Sequence, residues 1–182
     1  MKTVKLFSLI AFILTLTTFT SCDKIKSVAD VKFDAEVSAD METTSASETL
    51  KGSSYFFEGS ATIDPTSDND INKYYDLIKD WEIKKIVVSV QSIDEPTLLE
   101  NAELFLVDND EQQNLYSATL SNVELQEGTK ILEVSDADWT EIVNALNAKH
   151  KILASLSGSV DKPSINIVFR ITIFVKVTAN PL

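Results

Sequence analysis

Ile165-Asn166-Ile167-Val168-Phe169-Arg170-Ile171-Thr172-Ile173-Phe174-Val175-Lys176-Val177 is the stretch that decides the fold. Ile165, Ile167, Phe169, Ile171, Ile173, Val175 and Val177 fill seven successive alternate positions. Only a β-strand, whose side chains point to opposite faces with period two, sorts those residues onto one side. At about 3.3 Å per residue these thirteen residues reach roughly 43 Å, longer than most strands. Such a strand either bends or pairs along its length with more than one partner. Arg170 and Lys176 fall on its other face, where charge discourages edge-to-edge aggregation.

The same period recurs outward from this strand. Ile152, Ala154, Leu156, Gly158 and Val160 share one face of a preceding strand, with Ser155, Ser157 and Ser159 on the other, and Asp161-Lys162-Pro163-Ser164 turns the chain back. Near the start, Val31, Phe33, Ala35, Val37, Ala39 and Met41 alternate with polar residues. Tyr55–Ile63 is a further strand, with consecutive aromatics at Tyr55, Phe56 and Phe57 reaching both faces. Residues 82–92 carry Ile86, Val87, Val88 and Val90, a β-branched run that reads as a central strand and is stopped by Asp94-Glu95-Pro96. Residues 102–107 and 115–120 form a hairpin around a polar loop, and Lys130–Val134 is a short strand after Glu127-Gly128-Thr129.

Two helices interrupt this pattern. Ile71, Tyr74, Tyr75 and Ile78 form one apolar stripe behind the turn Asp64-Pro65-Thr66-Ser67-Asp68-Asn69-Asp70, with Asp68 or Asp70 placed to cap it. Trp139, Ile142, Val143 and Leu146 form the other, behind the Ser-x-x-acid pattern Ser135-Asp136-Ala137-Asp138, and Lys149-His150-Lys151 bring positive charge to its negative end. About eight strands and two short helices give a mainly β chain, an antiparallel β-sandwich of immunoglobulin-like or jelly-roll-like type. A barrel with an internal cavity is the alternative.

The first residues have a different character. Lys2 and Lys5 precede fourteen largely apolar residues, 6–19, then the small pair Thr20-Ser21 and Cys22, the single cysteine of the chain. Fourteen residues fall short of the roughly twenty that cross a bilayer as a helix, so residues 1–21 read as a removable signal peptide. A lone thiol forms no intramolecular disulfide. Phe19-Thr20-Ser21-Cys22 resembles the lipobox of bacterial lipoproteins, with Phe19 where that family usually has Leu, Val or Ile. The resemblance covers residues 1–22, and the domain behind it has the look of the β-sandwich lipoproteins of Bacteroidota. It implies acylation of Cys22 as the mature N-terminus, a tether over residues 22–30, one β-sandwich domain over 31–182, and residence in the cell envelope, at the outer membrane of a Gram-negative bacterium. Each buried CH₂ of an acyl chain contributes about 0.8 kcal/mol, so several chains moor a domain durably.

Without residues 1–21, 161 residues remain, enough for one domain. The formal charge of the whole chain is −12; removing Lys2 and Lys5 leaves 14 minus 28, or −14. Such a surface repels phosphate backbones and anionic lipid heads, which argues against nucleic-acid partners and electrostatic membrane docking.

Catalytic motifs are scarce. His150 is the single histidine and sits at a helix end between two lysines, so it reads as structural, and with Cys22 committed to the anchor no Cys/His zinc set can be written. Four glycines, at 52, 59, 128 and 158, allow neither a P-loop nor a dinucleotide fingerprint. Asp64, Asp68 and Asp70 are candidate calcium ligands, with Asn69 and Asn72 among them. As an EF-hand the loop fails, because Lys73 and Lys79 stand where glycine and glutamate belong. Asp108, Asp110 and Glu111 form a second, sparser oxygen cluster. Tyr74, Tyr75 and Trp81 are close enough in sequence for a stacking platform, though Tyr75 lies on or near the helical stripe and core packing is the favoured reading.

The expectation is therefore a non-catalytic envelope lipoprotein that binds or scaffolds, through its anchor and an envelope protein or glycan partner, with no cofactor beyond a possible calcium ion. A carrier with an apolar cavity lined by Phe169 and Ile173 is the first alternative. A carboxylate-dependent hydrolase is the second.

Overall fold

Asn166–Ala179 is the hub of the first sheet: it pairs antiparallel along its full length with Val31–Thr44 on one side and with Ile78–Ile93 on the other. These elements come from a computed structural model, which describes residues 30–48 and 54–181. The expected signal peptide, Cys22 and the expected tether up to residue 29 lie outside the described residues.

In chain order the elements are β1 (Val31–Thr44), β2 (Tyr55–Ile63), α1 (Asn69–Tyr74), β3 (Ile78–Ile93), β4 (Thr97–Asp108), β5 (Asn114–Leu125), β6 (Lys130–Val134), α2 (Thr140–Asn147), β7 (Ile152–Val160) and β8 (Asn166–Ala179). Short 3-10 turns, Pro65–Ser67 and Tyr75–Leu77, flank α1. The strands form two four-stranded sheets, ordered β1-β8-β3-β6 and β2-β7-β4-β5. Successive strands mostly alternate between the sheets, and β4–β5 is the one hairpin kept within a sheet. That interleaved order is the double Greek key of a jelly roll. It settles the choice against the immunoglobulin arrangement, in which hairpins stay within sheets, and against the closed barrel.

The core lies between the sheets. Ile167, Phe169, Ile171, Ile173, Val175 and Val177 of β8 are each at most 1% exposed, and they face Ile152, Ala154, Leu156 and Val160 of β7, all fully buried. Phe169 stacks on Phe57 of β2 with ring centroids 5.7 Å apart, joining the two sheets. On the outer face, Arg170 makes a two-pronged bond to Asp40 across the β1–β8 pair, Nε to Oδ1 at 2.7 Å and the second nitrogen to Oδ2 at 2.8 Å. Because β8 is flanked on both sides, Arg170 and Lys176 protect no edge. Their role is cross-strand pairing on a wet face.

β3 differs most from the sequence pattern. Its sixteen residues lie opposite thirteen of β8, and the excess is absorbed by three bulges, at Ile78/Asp80, Ile83/Lys85 and Val90/Ser92. Each bulge inserts one residue and resets the alternation, so Ile83 and Ile86 are both buried although three positions apart; Val87 lies in unbroken register between Ile86 and Val88 and is buried on the opposite face of the strand. The strand begins at Ile78, which joins β8 through Ala179 rather than continuing the helical stripe, and α1 ends at Tyr74.

Helix α2 starts at Thr140. Asp138, not Ser135, supplies the start signal: its Oδ1 accepts from the Thr140 N–H at 3.0 Å and from the Thr140 hydroxyl at 2.6 Å. Trp139 sits at the N-cap position and packs against Tyr116, 5.4 Å between centroids. The helix closes with the Lys149 N–H on the Leu146 carbonyl and the His150 N–H on the Ala145 carbonyl, both at 3.0 Å, and Lys149 itself has φ of 65°. This is a Schellman end with lysine at the left-handed position that glycine favours. Lys149→Gly should therefore raise stability by about 0.5 to 1 kcal/mol in urea unfolding, less whatever the exposed Lys149–Asp76 ion pair contributes. A loss of stability would show that the pair outweighs the backbone strain.

Candidate functional site

Asp108 closes β4 and His150 precedes β7, and the antiparallel pairing of Asp108 with Ile152 brings the two together. The turn after Asp108 is pinned to the segment before β7: the Asn109 N–H donates to the Lys151 carbonyl at 3.0 Å, and the Asp108 N–H to the Gln113 carbonyl at 2.8 Å. Gln112 adopts φ of 57° to close the turn.

The Asp108 side chain is 4% exposed, and all its oxygens are engaged. Oδ1 accepts from the backbone N–H groups of Asp110 at 2.8 Å and Glu111 at 3.0 Å, while Oδ2 lies 2.7 Å from His150 Nδ1. Burial works to raise the pKa of Asp108, but the Glu111 and Asp110 amides and the His150 ring together hold it below the usual carboxylate value. The bond to Asp108 raises that of His150 above the ordinary imidazole value, with the charges of Asp110 and Glu111 adding to it. An ionised carboxylate only accepts, so Nδ1 is the hydrogen-bearing nitrogen of His150. Ligand atoms of Asp108, Asp110 and His150 all lie within 4.8 Å of one another. A cleft of about 250 Å³, lined also by Glu111, Glu141 and Asn144, opens beside them.

Asp64, Asp68 and Asp70 do not converge in this way. Asp64 caps the Pro65–Ser67 turn through the Thr66 N–H at 2.9 Å and pairs with Lys151 at 2.7 Å. Asp68 caps α1 through the N–H groups of Asp70 and Ile71, both at 2.9 Å, and Asp70 is exposed in the first turn of that helix. The aromatics also separate. Trp81 is buried on β3, Tyr74 packs on Phe33 at 5.7 Å, and the Tyr75 hydroxyl donates to the Lys149 carbonyl at 3.2 Å. Among the described residues the exposed aromatic is instead Phe56, at 50%, beside a cleft of about 430 Å³ with Asn101, Thr119, Ser157 and Ser159. The run Tyr55-Phe56-Phe57 carried that signal, since adjacent strand residues cannot all face inward.

No protein-family model and no curated protein matches the chain. Among solved structures it is similar to the decameric BFDV capsid protein, at 10% identity and a TM-score of 0.45, covering 81% of this chain and 99% of that one. It is also similar to a structure of Desmodium yellow mottle tymovirus, at 11% identity and a TM-score of 0.33 over 82% of this chain and 90% of that one. The VP2 subviral particle of infectious bursal disease virus is a third, at 11% identity and a TM-score of 0.27 over 84% of this chain and 38% of that one. The jelly-roll assignment rests on the strand order and register given above.

A cleft of about 530 Å³ lies at the opposite end of the sandwich, among Glu42, Glu58, Asp94 and Asn166. Asp94 is tied there to the backbone N–H of Asn166 at 3.0 Å and to its side-chain amide at 2.8 Å. At the same end Asp161 accepts from the Thr97 hydroxyl at 2.5 Å and the Leu98 N–H at 2.8 Å. The Thr97 bond, opposed by burial and aided by the Leu98 amide, holds Asp161 below the usual carboxylate value, as the Arg170 bond does for Asp40. A folded-state value below the unfolded one, about 3.9, means stability that is present above that pH and lost as pH falls through the folded value. The stability difference between wild type and Asp161→Asn should thus be constant above about pH 5 and shrink below about pH 4. A difference unchanged down to pH 2 would detach Asp161 from the acid limb.

Proposed function

We propose that this chain is an envelope lipoprotein, acylated at Cys22 and held at the outer membrane of a Gram-negative bacterium, whose jelly-roll domain is a non-catalytic binding or scaffolding module. The observation that carries the reading is Phe19-Thr20-Ser21-Cys22 behind Lys2, Lys5 and an apolar run. The fold supports it by its polarity. Val31, Ala179 and Ile78 meet at one end, and the nine residues from Cys22 to Val31 reach roughly 30 Å at most. A lipid on Cys22 therefore tethers that end and leaves the Glu42–Asp94 cleft facing outward.

Surface binding is favoured over an internal cargo because Phe169 and Ile173, which a carrier would use to line its cavity, are each 1% exposed within the packed core. Hydrolysis is the weaker reading because Asp94, one of the three acids in the outer cleft, already holds Asn166. For the partner, a glycan has specific support at Phe56, where an exposed ring lies among hydroxyl and amide groups of the kind a sugar engages.

Metabolic labelling with an alkyne-bearing palmitate tests the anchor. The wild-type chain should take up label and sediment with membranes, while Cys22→Ser should lose the label and move to the soluble fraction. A labelled Cys22→Ser chain, or an unlabelled wild type, would overturn the reading. Crosslinking in native cells would then separate a protein partner from a glycan.

A further inference from the structure

We propose that Asp108, Asp110 and His150 bind a divalent transition-metal ion of the zinc class. The inference is independent of the lipid anchor, since it concerns residues of the folded domain alone. Three observations carry it. The ligand atoms lie within 4.8 Å of one another although their residues come from two separate segments of the chain. Those segments are fixed to each other by the Asn109–Lys151 backbone bond, the Asp108–Ile152 strand pair and the Schellman end that orients His150, so Asp108 and His150 are held by rigid elements, with Asp110 on the turn pinned between them. Finally, the set mixes an imidazole with carboxylates on a partly dry floor: Asp108 is 4% exposed and His150 22%.

The donor types choose the ion. Calcium and magnesium take oxygen ligands almost exclusively, whereas imidazole nitrogen suits zinc, nickel, copper and iron. One nitrogen and two carboxylates leave a coordination position open toward the cleft of about 250 Å³. Zinc–nitrogen and zinc–oxygen bonds of about 2.0 to 2.2 Å in a tetrahedral arrangement place neighbouring donors a little over 3 Å apart. Entry of the ion at Nδ1 displaces the hydrogen between Nδ1 and Oδ2: an imidazolium gives that proton to solvent, while a neutral ring takes up a hydrogen at Nε2 as it loses the one at Nδ1, and in both cases the ligand is neutral imidazole and the present 2.7 Å separation widens modestly. The amides of Asp110 and Glu111 continue to hold Asp108 Oδ1, which fixes the orientation of that carboxylate as an outer shell does for other metal ligands.

The test uses the full-length chain with Zn²⁺ as the probe, in competition with a chromogenic chelator, and with thermal unfolding as a second readout. Cys22→Ser in the background removes the one thiol that could compete for the ion. The expected result is one equivalent bound, a higher Tm with Zn²⁺, and no such rise with Ca²⁺. His150→Gln and the exposed Asp110→Asn should each weaken binding by about tenfold or more. Asp110→Asn alters neither the turn amides nor the buried carboxylate, so it keeps the test valid if His150→Gln folds poorly. Zinc bound equally by wild type and Asp110→Asn, no binding at all, or a larger response to Ca²⁺ than to Zn²⁺ would each overturn the proposal.

Discussion

Gly158→Ala should destabilise the domain by about 3 kcal/mol or more, a large share of the roughly 5 to 15 kcal/mol that holds a typical domain folded. A Cβ at Gly158 would lie 2.2 Å from the Asn101 carbonyl oxygen and 2.7 Å from the Cα and Cβ of Ala102. Real side chains do not approach backbone that closely, so β7 or β4 must move. Neither is free to do so, because β7 is held between β2 and β4 through the pairs Phe57–Gly158 and Ala102–Gly158. Overpacking typically costs about 1 to 3 kcal/mol where side chains can yield; here the obstacle is backbone in a central strand. Gly59 is the internal control. Its added Cβ would meet Glu42 O and Thr43 Cβ at 3.3 Å, a tight contact that a shift of a few tenths of an ångström relieves, so Gly59→Ala should cost about 1 kcal/mol or less. Urea unfolding of both variants checks the contrast, and equal midpoints would refute the backbone-clash account.

Phe169→Ala should cost about 3 to 5 kcal/mol, because it opens a cavity where the two sheets meet. Phe169 is 1% exposed, as is Phe57, and the stacked pair joins β8 of one sheet to β2 of the other. Removing the ring forfeits its own transfer free energy and strands Phe57 beside a void. A double-mutant cycle with Phe57→Ala should show coupling of about 0.5 to 1.5 kcal/mol. A cost below about 1 kcal/mol for Phe169→Ala would mean that the sheets close over the gap, and that the core is softer than its burial indicates.

These residues also show why so much of the fold could be read from the chain and why some could not. β8 and β7 keep strict alternation over their length, so period and burial agree at every position from Ile167 to Val177. β3 hides its first four residues because a bulge at Ile78/Asp80 disrupts the period, and Ile78 then falls at helical spacing from Tyr74 and Tyr75. The first half of β4 is masked for a related reason: Leu98 and Leu99 are adjacent apolar residues, and the register shifts between Leu99 and Asn101. The candidate metal ligands are a different case. Asp108 and Asp110 stood out as oxygen donors and His150 as a helix-end residue, but they lie 42 positions apart from Asp108 to His150. Only the pairing of β4 with β7 unites them, and no local pattern encodes which strands become neighbours.

The zipping of the first strand to the last has a consequence for the order of assembly. β8 supplies the middle of its sheet, so β1, synthesised long before it, has no partner in that sheet, and β3 none but the short β6, until residues 166–179 have been made. The contacts are correspondingly distant in sequence, which slows closure. A growing chain of this topology completes its first sheet only when residues 166–179 join, after every other strand of the sandwich has been made.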